Sequence, residues 1–384
     1  MRARLSLAVA VAVAGCRVPT VDYTGKSCPC PGGYSCDPAT ATCERGAADA
    51  ALDTSDGMTL DAPIDDGCFG TGFVKACPSP GWPDTLTLTG TVNTDSSPMC
   101  VPAQLPNACV IVANTIVVPA ATTVGARGSR PLVIVGVQSI TVDGVIDVGS
   151  HHAYTLPGAG GNSPSCSAAV AAVGIGGGAG GSFAGQGGTG GTGNGGAGGS
   201  APAAVALTEL RGGCDGETGG GTGAGTGGHG GGAAFLISPT TITISGTIDA
   251  SGGGGTGAKV ASVGGGGGGS GGLIGLDCAH LTVMNSASLF ANGGGGSAGA
   301  GATPPANDGA DPSVPGTAAA GGIGDTMSAA RAGGAGSVNA TLDGTAGHDA
   351  NGTGGGGGGG GGAGYVKLFP TLTTIGGAVS PPPT

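Results

Sequence analysis

Residues 233–255 read AAFLISPTTITISGTIDASGGGG, and this stretch decides the fold. A short β-rich run comes first. A second, alternating run follows and ends in Gly246-Thr247-Ile248-Asp249, and a block of glycines closes the unit. The same order stands at 131–150 (PLVIVGVQSITVDGVIDVGS) and at 272–296 (GLIGLDCAHLTVMNSASLFANGGGG), and more loosely at 364–381. Setting Ile140 on Ile242 aligns Gly144 with Gly246, Ile146 with Ile248 and Asp147 with Asp249. The third unit sets Leu281 on Ile242 and needs two extra residues before Leu289 meets Ile248. Units this short cannot each bury an apolar face alone, so stacking them is the economical solution. The pattern predicts an all-β fold: a short right-handed parallel β-helix, or solenoid, over 68–384. Ile242, Ile244 and Ile248 would stack on Ile140, Val142 and Ile146, and Trp82, the only tryptophan, would plug an open end of the core.

Glycine accounts for 92 of 384 residues, while charged residues make up 9% and aromatics 3%. Ordinary domains carry about 7% glycine and about 25% charged residues. Any core must therefore be narrow and built from Val, Ile, Leu and Ala. The formal charge of −11 disfavours a sequence-independent grip on nucleic-acid phosphate, so no nucleic acid is expected as a partner.

The glycine-rich insertions fall at about 158–233, 252–272 and 293–364. Two physical readings apply to them. One is a flexible glycine coil. The other is polyglycine II, extended with three residues per turn. Gln186, Thr189 and Thr192 step by three, as do Asn194, Ala197 and Ser200, which favours packing of 174–200 against another glycine block. Thr222, Ala224 and Thr226 break that period, and 354–362 is glycine throughout and uninformative.

Twelve cysteines suggest an oxidising compartment. Residues 28–43 hold Cys28, Cys30, Cys36 and Cys43 among turn-forming prolines and glycines. They read as a small two-disulfide knot with three possible connectivities. A thiolate zinc site is the alternative, with neither a nearby histidine nor the usual two-residue gap to support it. Cys68 with Cys77, and Cys100 with Cys109, would staple two short loops; Cys166 and Cys214 would tie the ends of the longest glycine block. Cys278 is then the unpaired thiol. Residues 44–67 carry Glu44 and six aspartates without an apolar period, and read as an acidic disordered linker.

At the N-terminus, Arg2 and Arg4 precede an apolar run over 5–12 that is too short to span a bilayer. It reads as a signal peptide over 1–15. Val13-Ala14-Gly15-Cys16 resembles the bacterial lipobox, which implies acylation of Cys16, a lipidated tether over 16–27, and a membrane contact through that lipid. The competing reading is ordinary cleavage with Cys16 left as a thiol. Arg17, in place of aspartate, favours the outer membrane by analogy with lipoprotein sorting.

Catalytic chemistry has little footing in the sequence. Asp147 and Asp249 end strands, where aspartate commonly accepts hydrogen bonds from turn amides. Arg127 and Arg130 form a small basic spot with no evident acid partner. Asp143 could serve, but its aligned residue is Ser245, so no row of charges continues. His151, His152, His229, His280 and His348 are scattered. The expectation is therefore no catalytic residue, no metal and no cofactor.

The cysteine knot, the acidic linker, the SRPLVIV and ITVDGVIDV strands and the glycine blocks together resemble glycine-rich lipoproteins of myxobacteria, across nearly the whole chain. The glycine blocks also resemble, in composition, the polyglycine domains of phage tail adhesins and, less, mycobacterial PE-PGRS proteins. The resemblance implies no known activity. The expectation for the chain is a non-catalytic envelope lipoprotein, structural or adhesive, that meets cell-surface glycans or proteins. The alternatives are a polysaccharide lyase or hydrolase on a β-helix, and an inert coat component.

Overall fold

The computed structural model describes residues 26, 34–37, 41–45, 67–105, 107–152, 155–324, 331–350 and 352–384. The chain divides into two units, Met1–Pro63 and Ile64–Thr384. In the first, β1 (Tyr34–Asp37) pairs antiparallel with β2 (Thr42–Arg45), with Cys36 and Cys43 at facing register positions. Cys16, Cys28 and Cys30, the side chains of Cys36 and Cys43, the 1–15 leader and nearly all of the acidic linker lie outside the described residues.

Among its described residues the second unit holds strands and no helix. Its long strands are β5 (Cys109–Val118), β7 (Leu132–Val142), β9 (Ala233–Ile244) and β11 (Leu273–Val283). Each is followed after a turn by a short one: β6 (Thr123–Arg127), β8 (Val145–Asp147), β10 (Thr247–Asp249) and β12 (Ser288–Phe290). Before them come β3 (Thr85–Thr87) and β4 (Gly90–Asn93); after them come β13 (Tyr365–Leu368), β14 (Leu372–Ile375) and β15 (Ala378–Ser380). The long strands, with β3, β13 and β14, make one parallel sheet; the short strands, with β4 and β15, make the other.

Register explains the repeated sequence. Ile116, Ile140, Ile242 and Leu281 are successive partners across the first sheet, and Val124, Ile146, Ile248 and Leu289 across the second. These residues fill one buried cluster between the sheets. The apolar run that opens each long strand is buried on both faces. Leu132 and Ile134 point into that cluster, while Val133 and Val135 join a second one with Phe235, Ile237 and Phe183 on the outer face. Trp82 belongs to this outer cluster, where its ring meets Phe69 edge-on and its Nε1 donates to Asn114. It does not plug the inter-sheet core.

The expectation of a right-handed parallel β-helix with glycine-rich insertions is corrected by this topology. Each unit gives one strand to each of two parallel sheets, and then leaves the sheets altogether. The returns, 148–232, 250–272 and 291–364, do not close a coil. Their extended segments hydrogen-bond to one another and form a second body of the domain. A strand–turn–strand repeat is common to a β-helix and to a two-sheet stack. The difference lies in the return path, and glycine changes what a return path can do. With no side chain in the way, one backbone can lie against the next closely enough for direct N–H to C=O bonds on several sides.

The segment 355–364 shows this most fully. Every one of its N–H groups donates, in a repeat of three residues. Gly355, Gly358 and Gly361 donate to Ala300, Ser297 and Gly294. Gly356, Gly359 and Gly362 donate to Ile175, Gly178 and Gly181. Gly357, Gly360 and Ala363 donate to His348, Thr345 and Leu342. Its carbonyls accept from three further segments: Gly265, Gly268 and Gly271; Gly191 and Gly188; Gly334 and Ser337. The central backbone is thus surrounded by backbone.

Candidate functional site

The parallel register of β8 and β10 sets Asp147 beside Asp249. Both strands end Ile-Asp, with the isoleucine turned into the core and the aspartate placed where the chain leaves the sheet. The next strand on either side ends the row: Phe290 of β12 pairs with Asp249, and Gly125 of β6 pairs with Asp147. Each aspartate does accept turn amides. Asp147 Oδ1 takes Gly149 N–H at 3.0 Å, and Asp249 Oδ1 takes the N–H of Ser251 at 2.8 Å together with its hydroxyl. A Cβ at Gly149 would stand 2.9 Å from Asp249 Oδ1, so the carboxylate would have to shift.

Three further side chains converge on the pair. Arg127, at the end of β6, places Nη2 2.7 Å from Asp147 Oδ2, while its Nη1 donates to the carbonyls of Ala126 and Asp147. The acid partner of Arg127 is therefore Asp147. Asp143 instead accepts the Ser245 hydroxyl at 2.5 Å, and Arg130 lies 3.9 Å from Asp95. His151, four residues beyond Asp147, has Nε2 3.3 Å from Asp147 Oδ1 and Nδ1 3.8 Å from Asp311 Oδ2. His152 Nδ1 lies 2.8 Å from the same Asp311 oxygen. Asp311 reaches the cluster from the last glycine-rich return and is fixed there by Gly254 N–H at 2.7 Å.

The electrostatics follow from burial and charge. Asp249 is only 7% exposed, and burial pushes its carboxyl up to about 6 against the Ser251 hydrogen bonds, with the Asp147 charge adding to the rise. Burial works in the same direction on Asp147, but there the His151 hydrogen bond and the Arg127 charge win and hold the carboxyl below its ordinary value. The hydrogen bond to Asp147 raises His151 above the ordinary imidazole value despite burial, and the charges of Asp147, Asp249 and Asp311 contribute. One ligand atom from each of Asp147, His151 and Asp249 lies within 4.8 Å of the other two. The histidines that look scattered in sequence thus include one drawn into a carboxylate cluster. The aligned Asp147 and Asp249 could have pointed to it; nothing in the sequence ties Asp311 to them.

Disulfides join Cys68 to Cys77, Cys100 to Cys109 and Cys166 to Cys214. Three such bonds place the chain in an oxidising extracellular or periplasmic environment. Cys278 is a free, buried thiol, which burial pushes up to about 11 and so keeps unreactive. Beside it, buried Asp277 accepts Thr71 N–H, the Thr71 hydroxyl and Gly72 N–H, tying the Cys68–Cys77 loop to β11. Among the described residues, no helix is long and apolar enough to cross a membrane. No family model, curated protein or solved structure matches the chain.

Proposed function

We propose that the chain is a non-catalytic, lipid-anchored component of a bacterial cell envelope, a rigid structural or adhesive module carried on an acidic tether. The observation that carries this reading is the backbone-to-backbone bonding around 355–364. Glycine loses more conformational freedom on folding than any other residue. Spending so many on an ordered body makes sense where a thin, stiff element is useful. Its exposed side chains lie at its edge: Gln186, Thr189 and Thr192 step outward every third residue. Chemistry on polysaccharide would call for two carboxylates flanking an open groove, whereas Asp249 is buried at the end of its strand. Cell-surface glycans or proteins are the partners such an edge would meet.

The test combines fractionation with proteolysis. In a Gram-negative host the wild-type chain should partition with membranes, and Cys16→Ser should be released or left unprocessed. Protease should then cut within 46–66 and leave a resistant fragment that begins near Cys68. Unchanged membrane retention of a normally cleaved Cys16→Ser protein would remove the anchor from the reading. Digestion of 68–384 as fast as the linker would remove the rigid module.

A further inference from the structure

We propose that Asp147, His151 and Asp249 bind a divalent first-row transition cation of the zinc class, with Arg127 and Asp311 holding two of the ligands in orientation. This goes beyond the envelope reading and does not depend on it.

Geometry comes first. Ligands at zinc distances of about 2.0–2.2 Å in a tetrahedron stand roughly 3.3 Å apart. His151 Nε2 and Asp147 Oδ1 already stand 3.3 Å apart, and the Asp249 carboxylate completes a triangle with no side above 4.8 Å. The strand register makes this convergence a property of the fold, because Asp147 and Asp249 end adjacent strands and His151 follows in the next turn.

Asp249 supplies the second, independent observation. Its side chain is more than nine-tenths buried, and Ser251 satisfies Oδ1 alone. Among the described residues no hydrogen bond reaches Oδ2. A charged side chain buried this far is costly unless a cation meets it.

The surrounding groups fit the same assignment. A metal-bound histidine usually directs its other ring nitrogen at a carboxylate, which fixes the ring. His151 Nδ1 faces Asp311 Oδ2 at 3.8 Å, and Nε2 turns to Asp147 Oδ1, the side on which the cation would sit. Arg127 holds Asp147 by Oδ2 and leaves Oδ1 turned toward His151. Three carboxylates, one guanidinium and one divalent ion sum to zero charge. One imidazole with two carboxylates is a mixed nitrogen and oxygen set, suited to zinc and its neighbours. Calcium takes six to eight oxygens, which this cluster does not offer.

The purified, oxidised, full-length chain is stripped with chelator and titrated calorimetrically with Zn2+, then with Ca2+ and Mg2+. Zn2+ should bind, and His151→Ala and Asp249→Asn should each take up about one equivalent less. Asp249→Asn removes a buried charge and keeps an acceptor for Ser251, so it should fold; melting without metal checks both variants. Asp311→Asn should keep the equivalent but weaken it roughly 10–100-fold. His280→Ala, at an exposed imidazole on β11, should bind as wild type. The visible spectrum of the Co2+-loaded wild type needs no variant, and should show an ion ligated by nitrogen and oxygen. A thiolate charge-transfer band would put the ion on cysteine and overturn the proposal. So would absence of Zn2+ uptake, which would leave a protonated His151 as the cation of the cluster. Uptake unchanged in both folded ligand variants, or Ca2+ binding as tight as Zn2+, would overturn it equally.

Discussion

Ile248 of β10 stands beside Ile146 of β8 in parallel register, and neither retains any exposure to solvent. The pair sits in the cluster between the sheets, in a row that runs from Val124 to Leu289. Ile248→Ala should cost about 2–5 kcal/mol through lost burial and an unfilled cavity. Ile248→Asp should cost more, because its carboxylate would have no partner in an apolar core. Equilibrium denaturation of 68–384 measures both. An Ile248→Asp protein with wild-type stability would mean that the alternation of β10 does not face the core.

This part of the fold was legible because parallel strands in register repeat the same alternation. Ile140, Ile242 and Leu281 could be aligned on the page, and they are neighbours in space. The path between strands was not legible. A turn followed by a second strand looks the same in a β-helix and in two stacked sheets. Within 354–362 there are only glycines, so nothing marks which face meets which neighbour. Where side chains interrupt the glycines, at Gln186, Thr189 and Thr192, the three-residue period could be read, and all three are exposed. Half of the candidate site was legible for the same reason. Asp147 and Asp249 align, whereas Asp311 arrives from a return whose course no local pattern predicts.

The Cys166–Cys214 bond should be the most stabilising of the three described disulfides. It spans a sequence separation of 48, against 9 for each of the others. Loop-closure entropy then gives about 4 kcal/mol for the long loop and about 2.6 kcal/mol for each short one. Arg211 packs there as well, with Nη1 3.4 Å from each sulfur and its guanidinium 4.3 Å from the Phe183 ring centre. The Cys166→Ser/Cys214→Ser double variant should lose more stability in urea than Cys100→Ser/Cys109→Ser. Equal losses would show that strain or residual unfolded-state structure, and not loop length, sets the effect.

His229 should make stability depend on pH in a definite direction. Its Nδ1 lies 3.1 Å from Asp215 Oδ2, and that hydrogen bond raises it above its ordinary 6.5 despite burial. A raised folded value means that the native state binds the proton more tightly than the unfolded chain does. The stabilisation is fully present below 6.5 and is lost as pH rises through the higher folded value. The stability gap between wild type and His229→Gln should therefore be widest near pH 5 and shrink above neutrality. A gap that widens with rising pH would mean that Asp215 does not hold the imidazolium.

The glycine body makes its sharpest claim at neighbouring positions of one segment. Gly188 and Gly191 donate to Gly360 and Gly357, and a Cβ at either would run into the carbonyl of Thr345 or His348. Thr189, between them, faces outward. Gly191→Val should therefore destabilise by at least the 1–3 kcal/mol typical of overpacking, since the obstructing atoms are backbone and cannot rotate away. Thr189→Val should stay within about 0.5 kcal/mol, as surface changes do. Both substitutions leave a valine in the same stretch, so a flexible coil would tolerate both. Amide exchange supplies the matching kinetic readout. The Gly188 and Gly191 amides should be protected, and the Asn194 amide, for which no backbone acceptor is seen among the described residues, should exchange fast. Exchange at random-coil rates across 174–200, or equal tolerance of the two substitutions, would show that the backbone bonds around 355–364 do not persist in solution. The stiff module proposed here would then have no physical basis.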